Sequence, residues 1–195
     1  MIAIQIKRIL FFTVISAFAL TGCAKQETAN EEAKKQTMKK SPPVAVAQMQ
    51  ATNGNAANGV VTFRRVRGGM QVIAKFTGVP EGEHGFHIHE FGDCRSGDGK
   101  SAGGHFNPEG KQHAGPDAEV RHVGDLGNIT ANAEGIAEKA YMDPALTFKG
   151  VQNIIGKGVI LHANRDDMTS QPTGAAGARI ACGVIERVDE SASLK

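Results

Sequence analysis

The stretch HGFHIHE, His84 to Glu90, places three histidines within six residues of a chain that has only seven. In an extended strand, neighbouring side chains point to opposite faces, and side chains two apart share one. His87 and His89 therefore present two imidazoles side by side, while His84, of opposite parity, faces away. An adjacent imidazole pair is the beginning of a metal site, and the other four histidines determine whether one is completed. The stretch GGHFNPEGKQHAGPDAEVRHVGD, Gly103 to Asp125, offers His105, His113, His122 and Asp125. Three imidazoles and a carboxylate are enough to close a tetrahedral zinc site, and with no cysteine among them this is not a zinc finger. The last histidine, His162, lies in VILHANRDD. Imidazole also suits copper, and a tetragonal copper(II) site takes about four good donors. With copper on the strand pair, His87, His89 and His162 supply three. Seven residues then face eight coordination positions, and the count closes if one imidazole serves both ions through its two ring nitrogens. His105, at the near end of the zinc set, is the best placed.

These side chains need a scaffold, and the chain reads as an all-β one. VAVAQMQAT, VVTFRRV and MQVIAKFTGV follow a two-residue period, the last two separated by the turn signal RGG. GEHGFHIHEF, LGNITANAEGIAEKAYM, IIGKGVILHAN and ARIACGVIERV continue the pattern, with NAEG as a hairpin turn. No segment shows a capped run of apolar residues at helical spacing. Seven or eight antiparallel strands predict a Greek-key β-sandwich or flattened eight-stranded barrel. Two long segments interrupt it, from about Gly92 to Gly124 and from about His162 to Gly177. Loops of that length are usually functional or disordered, and these two hold all four remaining histidines.

The N-terminus reads as an export signal. Lys7 and Arg8 precede a mostly apolar run from Ile9 to Leu20 and then Thr21, Gly22 and Cys23. The run is shorter than a spanning helix needs. LTGC resembles a bacterial lipobox, which makes Cys23 the lipidated first residue of the mature chain, the alternative being an ordinary signal with a chance cysteine. The expected organisation is a lipoprotein-type signal at 1–22, Cys23 and a charged disordered tether over 23–43, a folded domain over 44–190 and a tail at 191–195. The formal charge of +2 includes Lys7 and Arg8. From Val46 to Glu190 the chain has 14 basic and 17 acidic residues, a net −3. No basic stripe argues for nucleic acid. Cys94 and Cys182, an even pair in an oxidising compartment, are expected to form a disulfide. GDGKS lacks the first glycine and the strand-to-helix context of a phosphate loop.

GFHIHEFGDC, GGHFNP, HVGDLGNI and GARIACGVI together resemble the copper/zinc superoxide dismutases, over roughly residues 46 to 187. The position of Cys94, five residues after His89, and a second loop with no charge in MTSQPTGAAG resemble the bacterial periplasmic branch. The resemblance implies copper on His87, His89, His105 and His162, and zinc on His105, His113, His122 and Asp125. Asp166 would link His87 to His113, and Arg179 would hold the anion beside copper. Lys100 would raise the encounter rate, with a solvated loop lysine as the plain alternative. His84 matches no ligand and is expected to be satisfied by backbone groups. The implied reaction converts superoxide to dioxygen and hydrogen peroxide, copper cycling between two oxidation states beside a structural zinc, while His105 releases copper and carries a proton. Its product is protection of the cell envelope, from a periplasmic position with a lipid anchor on Cys23. Two rival readings are a copper carrier on the same fold and a zinc-only structural lipoprotein. Whether the chain pairs as a homodimer is left open.

Overall fold

A computed structural model describes residues 42–188. The signal, Cys23, nearly all of the tether and the tail at 191–195 lie outside the described residues. Eight strands form: β1 (Val44–Ala51), β2 (Asn58–Val66), β3 (Gly69–Thr77), β4 (Gly82–His89), β5 (Asp125–Ala131), β6 (Ala137–Asp143), β7 (Gly158–His162) and β8 (Arg179–Val188). They close into a barrel in the order β1-β2-β3-β6-β5-β4-β7-β8, every pair antiparallel. β3 beside β6 and β4 beside β7 are the two crossings of a Greek key. Closure removes the exposed edge that an open sandwich would leave. The only helical element among the described residues is a single 3-10 turn at Lys100–Ala102.

Period-two patterning explains why these segments are strands. In β1, Ala45, Ala47 and Met49 are buried and their neighbours are not; in β2, Val61 and Phe63 are. Phe63, Phe76, Phe86, Ile129, Leu161 and Ile185 meet in one core. Phe76 and Phe86 pack edge to face with centroids 5.9 Å apart, a geometry favoured by ring quadrupoles. The NAEG turn forms as expected: Gly135 N–H donates to the Asn132 carbonyl, and Gly135 takes φ 74°, a conformation that suits glycine.

β4 and β7 break the alternation. The last six residues of β4 and all of β7 are buried. Ile88 and Phe86 face the core, while His87 and His89 face the two long loops, which cover the outside of the barrel there. His84 has the other parity. Its two ring nitrogens lie 2.9 Å from the His162 carbonyl and 2.8 Å from the Pro80 carbonyl. It is a structural histidine held by backbone groups.

Cys94 and Cys182 are bonded, with Cα atoms 5.8 Å apart. The bond fastens the first loop to β8, three residues from Arg179. A cross-link over 88 residues removes loop-closure entropy from the unfolded chain, worth about 4–5 kcal/mol. Cys94→Ser or Cys182→Ser is therefore expected to lower the unfolding free energy by about that amount, measured by urea denaturation.

Candidate metal centre

The strand pair β4 and β7 brings His87, His89 and His162 together, and the first loop folds back to add His105. His105 is carried by an isolated bridge to His89 and by Phe106, whose N–H donates to the Ile88 carbonyl at 2.8 Å. Gly124 answers from the far end of the same loop, accepting from Ile88 N–H at 2.9 Å. A Cβ at Gly124 would sit 2.1 Å from the Ile88 carbonyl oxygen, so only glycine lets the loop lie this close to β4.

One ligand atom from each of His87, His89, His105 and His162 lies within 4.8 Å of the others, and all four residues are buried. Their orientation follows from what their other nitrogens do. His89 Nδ1 lies 2.9 Å from the Gly103 carbonyl, and His162 Nδ1 lies 3.1 Å from the Gly177 carbonyl. Carbonyls only accept, so both Nδ1 atoms carry the proton. The two Nε2 atoms, 3.3 Å apart, then face each other with lone pairs. His87 Nε2 is taken by Asp166 Oδ2 at 2.7 Å, leaving its Nδ1 buried without a partner. His105 Nε2 is likewise buried and partnerless. Unpaired buried donors or acceptors are costly, and a set of converging lone pairs is what a cation satisfies.

The second set is His105, His113, His122 and Asp125. Asp125 Oδ1 lies 2.8 Å from His105 Nδ1, 2.9 Å from His113 Nδ1 and 3.2 Å from His122 Nδ1. His122 Nδ1 and His105 Nδ1 are 3.4 Å apart. Zinc bonds of about 2.0–2.1 Å put tetrahedral ligands roughly 3.3 Å from one another, so these separations fit zinc. His113 Nδ1 makes no hydrogen bond despite its closeness to Asp125. Asp125 Oδ2 accepts the N–H groups of His122 and Ala114, which turns Oδ1 towards the three rings. His105 alone belongs to both sets.

Burial lowers most of the rings in both sets, His122 among them. Burial lowers the His87 pKa to about 4 against the pull of Asp166, and burial takes His89 and His162 well below the usual histidine value. His87, His89 and His162 are therefore neutral and ready to ligate at neutral pH. His113 goes the other way: burial lowers it, but contacts with Asp125 and Asp166 outweigh that and raise it to about 9. Burial alone would raise Asp125 and Asp166; hydrogen bonds from their histidines hold both well below the carboxylate range.

Asp166 joins the halves, bonding His87 through Oδ2 and His113 Nε2 through Oδ1 at 2.9 Å. Arg179 sits at the start of β8. Its Nη1 donates to the Gly99 carbonyl at 2.7 Å and its Nη2 to the Gly103 carbonyl at 2.6 Å. The Gly103 carbonyl thus serves both Arg179 and His89. The arginine charge contributes to lowering His89 and His162. Arg179 lines a cleft of about 430 Å³ with Thr52, Asn53, Asp98 and Lys100. Lys100 is 80% exposed and paired with Asp98 at 2.9 Å, so part of its charge is offset locally.

Several positioning residues carried no signal in the sequence. Gln171 acts as a strand substitute: its Oε1 accepts from His113 N–H and its Nε2 donates to the His113 carbonyl, each at 2.8 Å. Asn128 clamps Asp166 in the same reciprocal way. Arg121, buried and forked onto Asp143 at 2.9 and 2.7 Å, donates to the His122, Val123 and Asp125 carbonyls. Orienting contacts of this kind change metal affinity by about 10–100-fold. Gln171→Ala is expected to weaken zinc by that order in chelator competition and to leave copper uptake unchanged.

Comparison with known proteins agrees with this geometry. The family model for copper/zinc superoxide dismutase matches residues 57–185. An extracellular copper/zinc superoxide dismutase of Drosophila melanogaster is 41% identical over 186 residues, 90% of this chain and 97% of that protein. One from Brugia pahangi is 40% identical over 150 residues, 72% of this chain and 74% of that protein. The crystal structure of the clock protein EA4 superposes with a TM-score of 0.68 at 40% identity, covering 75% of this chain and 95% of that one. With its two donor sets fitted to copper and zinc, the chain belongs to the copper/zinc superoxide dismutase family.

Proposed function

We propose that this chain disproportionates superoxide at the four-histidine set, with the second set holding zinc. The observation that carries the reading is the two buried donor sets sharing His105. When bound, copper supplies a one-electron couple that oxidises one superoxide to dioxygen and reduces the next to hydrogen peroxide with two protons, and zinc supplies a fixed charge that does not change oxidation state.

The protein's own groups set up that chemistry. His89 and His162 are held in one tautomer by backbone carbonyls, so their Nε2 lone pairs need no rearrangement. His105 Nε2 faces the copper set while its Nδ1 faces the zinc set, making Nε2 the atom at which a proton can be held and released inside the site. Arg179 places a guanidinium beside His89 and His162. Two of its donors are fixed by Gly99 and Gly103, and the rest are free for a small anion. Lys100 adds exposed positive charge at the cleft, tempered by Asp98.

The rival readings lack support. A copper(I) carrier would use soft sulfur donors. Met49 and Met70 are core residues, Met142 is 47% exposed, and Met168 packs near Gly115 and Gly127. A zinc-only protein has no use for four convergent copper-type imidazoles or for Arg179.

Export is supported by the Lys7–Gly22 segment and by the two relatives, both named extracellular enzymes. LTGC supports a lipid anchor at Cys23, and the place of Cys94 supports the bacterial periplasmic form. Acyl chains on Cys23 are read directly by mass spectrometry of the native protein. The catalytic reading is tested by metal analysis with a superoxide assay: copper and zinc near one each per chain, with activity, are expected. Arg179→Ile is expected to keep both metals and to lose at least about tenfold in kcat/KM, the order of one charged hydrogen bond. Wild-type turnover in that variant removes the role.

A further inference from the structure

The end of the barrel away from Arg179 has a distinct surface. Register places Val188, Val44, Arg64, Gln71 and Met142 in one row across five strands. Arg64, Arg65 and Arg67 are all exposed around the β2–β3 turn, and Arg187 is exposed at the end of β8. Among the described residues none of these four arginines has an ion-pair partner. Two large apolar side chains are exposed in the same row, Met142 at 47% and Val188 at 39%. Glu186, one step further along β8, is the exposed acid nearest in the chain to Arg187 among the described residues. Arginines interleaved with exposed apolar side chains suit an interface that is anionic outside and apolar beneath.

A second observation fixes the occupant. The chain reaches β1 at this end, where Arg65 N–H donates to the Pro43 carbonyl at 3.0 Å. The stretch from Cys23 to Ser41 that precedes it carries Lys34, Lys35, Lys39 and Lys40 in its sequence. An acyl group at Cys23 would keep this end within the reach of about twenty residues, roughly 60–70 Å at full extension.

We propose that this arginine-rich end docks on anionic lipid headgroups. The inference rests on the reading that the chain is exported and held at a bilayer. It has a consequence for the reaction. β8 runs from Arg179 at the cleft to Val188 at the docking face, roughly 30 Å in a strand of ten residues. Docking therefore points the Arg179 cleft away from the lipid, towards diffusing substrate and clear of the negative surface potential, which decays within a Debye length of about 8 Å.

The test uses the metal-loaded chain from Cys23 onward with Cys23→Ser, so that no acyl group contributes. Binding is measured by sedimentation with vesicles of phosphatidylglycerol and phosphatidylcholine in equal parts, and with pure phosphatidylcholine. The expected result is partition to the anionic vesicles alone, weakened on the order of a hundredfold in the triple variant Arg64→Ala, Arg65→Ala, Arg67→Ala, with dismutase activity unchanged. Equal partition of triple variant and parent overturns the proposal. So does loss of binding only when Lys34, Lys35, Lys39 and Lys40 are all changed to Gln, because the tether then does the binding. Binding to heparin with none to either vesicle also overturns it, in favour of a polysaccharide partner. Acylation of Cys23 is read separately by mass, so a missing anchor and a failed docking face give different results.

Discussion

Four of the six imidazoles in the double site have one nitrogen committed to an acceptor outside the donor sets, and the rest of the structure depends on that commitment. His87 and His113 use Asp166, and His89 and His162 use the carbonyls of Gly103 and Gly177. Each tie fixes a tautomer and aims the other nitrogen inward. His105 is held differently: neither nitrogen is tied to a group outside the two donor sets. That freedom is what allows one ring to belong to both sets, with Nε2 turned towards the four-histidine set and Nδ1 towards Asp125.

The ties are useful only if the backbone that supplies them is itself held. Gly103, Gly177 and Asp166 all lie in long loops, where backbone positions are ordinarily soft. The fold compensates with paired contacts: the Cys94–Cys182 bond, the Arg179 fork onto Gly99 and Gly103, and the reciprocal amides of Gln171 and Asn128. On the other side of the zinc set, Arg121 binds three carbonyls and is itself fixed by Asp143. A buried ion pair of that kind adds little net stability but strongly resists losing one partner. Metal and fold are therefore coupled. Two buried carboxylates, Asp125 and Asp166, converge on His113 and raise its pKa to about 9 against the effect of burial, and a ligand set of this kind ties metal affinity to folding and to pH.

The parts legible in the sequence were those written in side-chain identity and period. His87 and His89 share a face by parity, and His84 does not. The seven ligand candidates could be sorted by loop, and an even cysteine pair implied the bond. The signatures around them pointed to Asp166 and Arg179. What was not legible was written in the backbone. The Gly103 carbonyl has no sequence signature, yet it orients a histidine and an arginine at once. Gln171 and Asn128 look like ordinary polar loop and strand residues until their partners are in place. The burial of both faces of β4 also had no local cue, since it is made by loops distant in sequence. Lys100 shows the opposite difficulty: its charge was visible, but its pairing with Asp98 depends on a loop conformation that residue order alone does not give.

A domain with net −3 acting on an anion presents an apparent conflict, which the distribution of charge resolves. Asp125, Asp166 and Asp143 are all buried and answered by histidine or arginine, so their charge is largely spent inside the protein. At the cleft the exposed acid is Asp98, facing Lys100, and behind them lies Arg179 with no carboxylate partner among the described residues. Carbonyl oxygens rather than acids hold the guanidinium, so it is oriented without being neutralised. Its charge, half withdrawn from solvent, is screened less than a surface lysine's and acts on whatever anion enters the cleft. The same arrangement predisposes the site to small anions in general, with selectivity left to the size of the space beside His89 and His162 and to the redox chemistry of the bound copper.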